Sequence, residues 1–449
     1  MRLAFKTVVV VFLMLGLLIP LMFIHATIAE RQEYQRQATQ DVASSSAGQQ
    51  ALVGPVLVVP YVEQVEEEEA GPQGVRKVLR DRAGQWTFFP ATLSIEGTMT
   101  PHTLKRGLYS VPVYEMAMNA RATIRAHIPV DGERPRRIGV PYLSVGVADS
   151  RGFVGTPSLK IDGRSMPIVG GFGSRPIGGV HVRLAVPRPG DDLVLPIAFD
   201  ATLAGTESLA LVPIARDNRF SLRSTWPDPM FQGSFLPRTR MVDERGFRAN
   251  WEISSLASNA QSQFLQASGQ QDALWQLAKG GRNIDGVGVA LINAVDGYTL
   301  ADRATKYGIL FVLLTFVGFF MFELIKQLPI HPIQYGLVGL ALAIFFLLLV
   351  SLSEHIPFGA AYLVSATACI GLLGFYLSAV LRSIARGLGF AAMLAALYAA
   401  LYGVLVSEDN ALVLGSGLLF CVLATIMIVT RKVDWYALQQ QRNLASQPA

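Results

Sequence analysis

The chain has 449 residues, 51% of them hydrophobic and only 16% charged, with a mean hydropathy of +0.38. Soluble chains carry about 25% charged residues, so a uniformly soluble enzyme and a disordered or low-complexity chain are both excluded. The net charge of +5 comes without a long basic run or a basic stripe interleaved with aromatics, which argues against nucleic acid as a partner.

The charge is unevenly placed. Between Tyr307 and Thr430 the only charged residues are Glu323, Lys326, Glu354, Arg382, Arg386, Glu408 and Asp409. A soluble-like part is therefore joined to a membrane part. A hydrocarbon core about 30 Å thick takes roughly 20 apolar residues as helix. The first such run, residues 7–28, has small residues at Thr27-Ile28-Ala29 that could mark a cleavage site. It is longer than the 7–15 residues of a usual signal peptide core and reads as an uncleaved anchor.

Residues 30–305 form the polar part, preceded by the anchor of residues 1–29. Residues 30–50 are rich in Gln, Ala and Ser and read as a helix extending from the anchor, or a stalk. From Ala51 the texture changes to short β-type runs with Gly and Pro in the gaps: 56–65, 86–89, 121–128, 143–147, 180–185, 193–199, 208–213 and 217–224. The run 121–128 alternates partly with period two, as a half-buried strand does. The spacing predicts an antiparallel β-sandwich-like domain, with a helical insertion at 254–279. Thr299-Leu-Ala-Asp302 reads as a capping box that starts the second span's helix.

Five further apolar segments follow within 306–432: 307–322, 333–353, 358–381, 388–406 and 411–430. Breaks such as His331-Pro332, Glu354-His355-Ile356-Pro357 and Ser407-Glu408-Asp409-Asn410 separate them. The expected fold is thus a six-span helical bundle with the β domain inserted between spans 1 and 2, and a tail at 433–449. Arg2, Lys6, Lys326, Arg382, Arg386, Arg431 and Lys432 fall in one set of loops and Glu354, Glu408 and Asp409 in the other. By the positive-inside rule both termini are cytoplasmic and residues 30–305 are translocated. Arg303 and Lys306 stand on the wrong side, but a long domain translocates largely regardless of its charge. In the fifth span Ala392, Ala396 and Ala400, with Gly371, Gly374, Gly415 and Gly417 on its neighbours, suggest close helix packing.

Chemistry is sparse. There is no H-E-x-x-H, G-x-S-x-G, S-x-x-K or Walker A motif. Gly171-Phe-Gly-Ser-Arg-Pro176 begins like a dinucleotide loop but has Pro176 where the third Gly belongs, and reads as a tight surface loop. His102, His127 and His181 lack metal-ligand spacing and read as structural. The Glu66–Glu69 run reads as a solvated hairpin tip. Cys369 and Cys421, the two cysteines, lie in apolar runs, so the polar part has no disulfide. Glu323 with Lys326 reads as an interfacial anchor pair. Glu354, His355, Glu408 and Asp409 are the candidate polar site, able to take a lipid headgroup or a cation at the outer ends of the helices, or else simply marking hairpin ends. No catalytic, cofactor-binding or metal-ligating set is expected, and no cofactor.

Several segments together carry a resemblance. They are Leu52-Val-Gly-Pro55, Gly146-Val-Ala-Asp-Ser-Arg-Gly152, Trp226-Pro-Asp-Pro-Met-Phe-Gln-Gly-Ser-Phe-Leu-Pro237 and Gly246-Phe-Arg-Ala-Asn-Trp251. Asp302-Arg-Ala-Thr-Lys-Tyr307, His331-Pro-Ile-Gln-Tyr-Gly-Leu-Val-Gly339, Leu352-Ser-Glu-His355 and Asp434-Trp-Tyr436 follow in order. With these the chain resembles the CreD family of bacterial inner-membrane proteins over nearly its whole length. The Glu66–Glu69 insert is not part of the resemblance.

The resemblance implies a role in cell-envelope integrity and in stress or antimicrobial tolerance, under two-component control, and it brings no catalytic residues. The expected function is therefore a non-enzymatic inner-membrane protein whose periplasmic domain binds or organises an envelope component. Expected partners are membrane lipids and an unidentified periplasmic or inner-membrane protein. The competing expectation is a transporter or lipid-handling enzyme using Glu354, His355, Glu408 and Asp409.

Overall fold

A computed structural model describes residues 3–71, 74–130, 136–173, 175–267, 273–292, 297–326, 330–407 and 411–431. The chain divides into a helical unit, residues 1–34 with 295–449, and a β unit, residues 35–294.

The helices are α1 (Leu3–Gly16), α2 (Leu18–Ser45), α3 (Ala260–Gln266), α4 (Ala273–Ala278), α5 (Gly297–Lys326), α6 (Pro332–Ser353), α7 (Phe358–Val380), α8 (Ile384–Val406) and α9 (Ala411–Thr430). Among the described residues, five stretches are long and apolar enough to cross a membrane: 8–45, 297–320, 332–353, 358–380 and 384–406. The anchor is interrupted at Leu17, and its helix runs on to Ser45 through the polar stretch. α5 begins at Gly297, a full turn before the expected boundary, so Thr299 and Asp302 sit inside the helix and do not cap it. α6 carries a capping box of its own. There the His331 ring accepts from the Ile333 amide at 3.3 Å and the Gln334 side chain accepts from the His331 amide at 3.0 Å, with Pro332 in the first turn.

The buried face of α8 corrects the small-residue expectation. Phe390, Leu394, Tyr398, Leu401 and Leu405 point inward at three- and four-residue spacing, while Ala392 and Ala396 are exposed. Large side chains fill more volume between helices, and here they form the seam. Gly374 against Ala391 and Gly387 against Ser378 are the close approaches between α7 and α8, whereas a side chain at Gly371, Gly403, Gly415 or Gly417 would meet open space.

In the β unit the strands, in chain order, are β1 (Gln50–Gly71), β2 (Gly74–Phe88), β3 (Pro90–Arg106), β4 (Tyr109–His127), β5 (Arg137–Ile138) and β6 (Tyr142–Val147). Next come β7 (Phe153–Ile161), β8 (Arg164–Ser165), β9 (Val169–Gly170), β10 (Gly178–Arg183), β11 (Asp192–Thr206) and β12 (Ser208–Leu211). The last are β13 (Asp217–Ser224), β14 (Pro229–Gly233), β15 (Thr239–Asp243), β16 (Gly246–Ser254) and β17 (Val287–Leu291).

Two sheets form. One runs β14-β17-β12-β1-β6-β10-β9, with β2 and β5 also on β1; the other runs β15-β16-β13-β3-β4-β11-β7-β8. Every predicted strand falls on one of these, but pairing is not wholly antiparallel. β1 lies parallel to β12 and β3 parallel to β13. Parallel neighbours need a long crossover, and here the intervening chain supplies it by building strands of both sheets. Sequence periodicity is blind to such non-local pairing.

One face of each sheet feeds a single core. The pattern along β4 alternates buried and exposed over most of its length, so Tyr114, Met116, Met118, Ala120, Ala122 and Ile124 point inward. Leu57 and Val59 of β1, Phe199 of β11, Phe220 of β13 and Trp251 of β16 join them. Each such side chain contributes about 1.5–3 kcal/mol through burial. Tyr114 crosses between the sheets, its hydroxyl donating to the Ser208 carbonyl at 2.7 Å. At Leu52-Val-Gly-Pro55 the register of β1 against β6 shifts. Gly54 there has φ +105°, and a Cβ would stand 2.8 Å from the Ser144 carbonyl oxygen, which restricts the position to glycine.

Candidate functional site

Of the four predicted polar-site residues, Glu408 and Asp409 lie outside the described residues. Glu354 caps the C-terminal end of α6 and is only 10% exposed. Its carboxylate accepts from Arg31 Nε at 3.3 Å and from the Tyr298 hydroxyl at 3.3 Å. His355 is exposed and directs Nδ1 to the Ser351 carbonyl of its own helix at 3.2 Å. A second carboxylate, Asp302 of α5, takes Lys306 at 2.6 Å and His25 of α2 at 3.1 Å.

Sequence reasoning missed Arg31, Tyr298 and His25 because their partners are distant in the chain, and it took Asp302 for a cap. The geometry is that of a clasp. Two carboxylates hold α2 to α5 and α6 within the helical unit, and Oε1 of Glu354 accepts from both Arg31 and Tyr298. Such an arrangement can fix helix positions; among the described residues it offers no converging set of free groups for turnover, and no group of three potential metal ligands occurs.

Glu323, expected to pair with Lys326, reaches the neighbouring helix α6. It is 2% exposed and accepts a hydrogen bond from the Tyr335 hydroxyl of α6 at 2.8 Å. Deeper in the bundle the Tyr362 hydroxyl donates to the Tyr398 carbonyl at 2.7 Å, and the Tyr398 hydroxyl to Cys369 Sγ at 3.2 Å. Phe311 and Phe345 pack on Tyr398 with ring centroids 4.5 and 4.6 Å away. These bonds link α7 to α8 through buried side chains, and Cys369 is a packing element.

In the β unit the three histidines stay apart. His181 bonds the Gly171 carbonyl at 2.8 Å, His127 bonds Asp192 at 2.8 Å, and His102 is exposed. The acidic run lies along the β1–β2 ladder, short of its tip. Glu66 meets Lys77 at 3.5 Å and Glu67 meets Arg80 at 3.6 Å, all four exposed. The Gly171–Pro176 loop buries Phe172 and Arg175. Arg175 stacks 4.4 Å over the Phe264 ring and donates to the Phe264 carbonyl at 3.1 Å; burial holds its pKa below the usual arginine value.

The segment Gly146–Gly152 has a clear structural task. Arg151 Nη1 and Nη2 donate to the Ser44 and Ala43 carbonyls at 2.5 and 3.3 Å, which satisfies carbonyls left open at the end of α2. Asp149 binds Arg151 at 2.6 Å and accepts from the Gly48 amide at 3.2 Å. The fully buried Gln50 exchanges hydrogen bonds with the Asp149 backbone at 2.9 and 3.2 Å. Burial acts to raise the Asp149 pKa, but the hydrogen bonds from Arg151 and Gly48 outweigh it and the net direction is downward.

The family model described as "Inner membrane protein CreD" matches residues 2–436. The inner membrane protein CreD of Escherichia coli K12 is 35% identical over 439 residues, which cover 96% of this chain and 93% of that relative. Together with the apolar helices, this makes the chain a multi-pass protein of the inner membrane. The chain belongs to the CreD family of inner membrane proteins.

Proposed function

We propose that the protein is a non-enzymatic component of the bacterial cell envelope that supports envelope integrity and tolerance of stress and antimicrobials. In this reading six spans, α9 being the last, cross the membrane, both termini are cytoplasmic, and the β unit lies in the periplasm and binds or organises an envelope component. The observation that carries it is the chain order: a large β unit, residues 35–294, stands between the first apolar helix and the remaining apolar helices, so its chain enters and leaves through helices. The placement of Glu354 supports a non-enzymatic role over a transporter or lipid-handling enzyme, since Arg31 and Tyr298 both engage its Oε1 and tie it into the helix packing.

A deletion strain tests the physiology. Sensitivity to detergents, envelope toxins or β-lactams should rise, and an unchanged profile with normal cell shape refutes the envelope role. Single-cysteine labelling at exposed β-unit positions from outside the inner membrane tests the orientation. Labelling only after the membrane is opened to the cytoplasm refutes it.

A further inference from the structure

The core uses one face of the β15-β16-β13-β3-β4-β11-β7-β8 sheet; the other carries a trough. Two hollows of about 830 and 1010 Å3 follow one another along the strands on this face. Strand registers fix three successive rows of side chains across it. The first row reads Glu252, Arg219, Ser94, Arg121, Ala198, Lys160, so cations alternate with small residues from strand to strand. The second reads Asn250, Ser221, Glu96, Asn119, Asp200, Ser158, a band of amides, hydroxyls and carboxylates. The third begins Arg248, Arg223, Thr98 and continues through Ala117 and Thr202.

Two features of these rows point to a ligand. Arg223 and Arg248 are directly opposite on neighbouring strands, a like-charge pairing that costs stability unless an anion sits between. Arg223 leans away to donate to Thr98 Oγ1 at 2.7 Å. The charges also fail to cancel internally. Arg238 takes Glu252 at 2.8 Å and Arg216 takes Asp217 at 3.2 Å, while Asn119 binds Asp200. Among the described residues Lys160, Arg219 and Arg248 have no ion-pair partner. The cationic rows are four residues apart along β13, about 13 Å at 3.3 Å per residue. Between them lies the band of amide, hydroxyl and carboxylate groups, which both donates and accepts as neighbouring sugar hydroxyls require.

We infer that this sheet face binds an extended acidic carbohydrate chain, its hydroxyls on the Asn250–Ser158 row and its carboxylates on the Arg219 and Arg248 rows. The inference deepens the reading of the β unit as the part that engages an envelope component and rests on it for its biological setting. An acidic peptide would satisfy the cations, but with one backbone N–H and one C=O per residue it would fill the central band less densely than the several hydroxyls of each sugar ring. The lining of the two hollows includes no aromatic side chain, and its charged and hydrogen-bonding groups favour a polar partner.

The test uses the full-length protein in detergent and a fluorescent oligogalacturonate as probe, followed by anisotropy. Saturable binding that weakens with added salt is expected. Replacement of Arg219 and Arg248 together by Gln should lower affinity at least about tenfold, since charge-assisted hydrogen bonds to carboxylates are lost. A neutral malto-oligosaccharide and a poly-glutamate of matched length should bind at least about tenfold more weakly than the probe. The pair Arg121→Gln with Lys160→Gln supplies a second variant should the first lose its thermal transition.

Absence of saturable binding, unchanged affinity in a variant with wild-type unfolding, or equal binding of poly-glutamate overturns the inference. The assay needs no cells, so its failure leaves the deletion phenotype standing, and a deletion without phenotype leaves the binding standing.

Discussion

Replacing Arg151 by Met removes every donor of the clasp at the end of α2 while keeping a long side chain. The lost interactions are the two bonds to the Ser44 and Ala43 carbonyls and the 2.6 Å pair with Asp149. Hydrogen bonds to charged groups contribute about 1.5–3 kcal/mol, and a cation at a helix C-terminus about 0.3–1 kcal/mol. Arg151 is 55% exposed, so solvent screening keeps the total near the low end, about 2 kcal/mol. For a unit of this size each kcal/mol moves the midpoint by about 2–4 °C, so thermal unfolding should fall by about 4–8 °C.

The measurement is tryptophan fluorescence against temperature for the purified full-length protein. A pH series sharpens it. The Asp149 carboxyl titrates below its unfolded value, so its contribution is present above about pH 3.9 and is lost as pH falls through the folded pKa. The gap between wild type and variant should therefore narrow in acid. A variant that melts within about 1 °C of wild type at neutral pH, or a gap that widens in acid, refutes the reasoning.

Three further outcomes follow from the same physics. Tyr114→Phe removes the buried hydrogen bond to the Ser208 carbonyl and should cost about 1 kcal/mol, read as a lowered denaturation midpoint of the β unit. Replacing Glu66 and Glu67 together by Lys breaks only exposed pairs and should change stability by less than about 1 kcal/mol, with far-ultraviolet circular dichroism unaltered. Glu354→Gln keeps a partner for Tyr298 but leaves Arg31 without its carboxylate. Heating in detergent should then show the helical unit destabilised by about 1–3 kcal/mol, and an unchanged melting curve would remove the clasp interpretation.

What could be read in the sequence was local. Hydrophobic runs located the helices, and alternation with Gly and Pro located the strands, because both signals repeat within a few residues. The start of α5 was misplaced because Thr299 and Asp302 have the residue types of a capping box, yet Asp302 serves Lys306 and His25 instead. The alanine spacing in α8 suggested a seam, but volume decided otherwise and Phe390, Leu394 and Tyr398 took the inward face.

Neither the Glu354–Arg31 clasp nor the sheet-face rows had a local signature. Arg219, Arg121 and Lys160 come from three separate strands and become neighbours only through register. Asp149 and Arg151 were visible as part of a segment that carries the family resemblance, but their attachment to Ser44 and Gly48 was not.

The parallel neighbours impose an order on synthesis. β1 is complete early, yet its partner β12 emerges only after β3, β4 and β11 have been made, and β17 closes that edge near the end of the unit. Until then the ladder groups of Gln50, Ala51 and Leu52 on the β12 side have no strand to bind. Contacts so distant in sequence form slowly. A ribosome arrested before Leu211 should thus carry a nascent β unit with an open central edge, vulnerable to protease and to pairing with other chains.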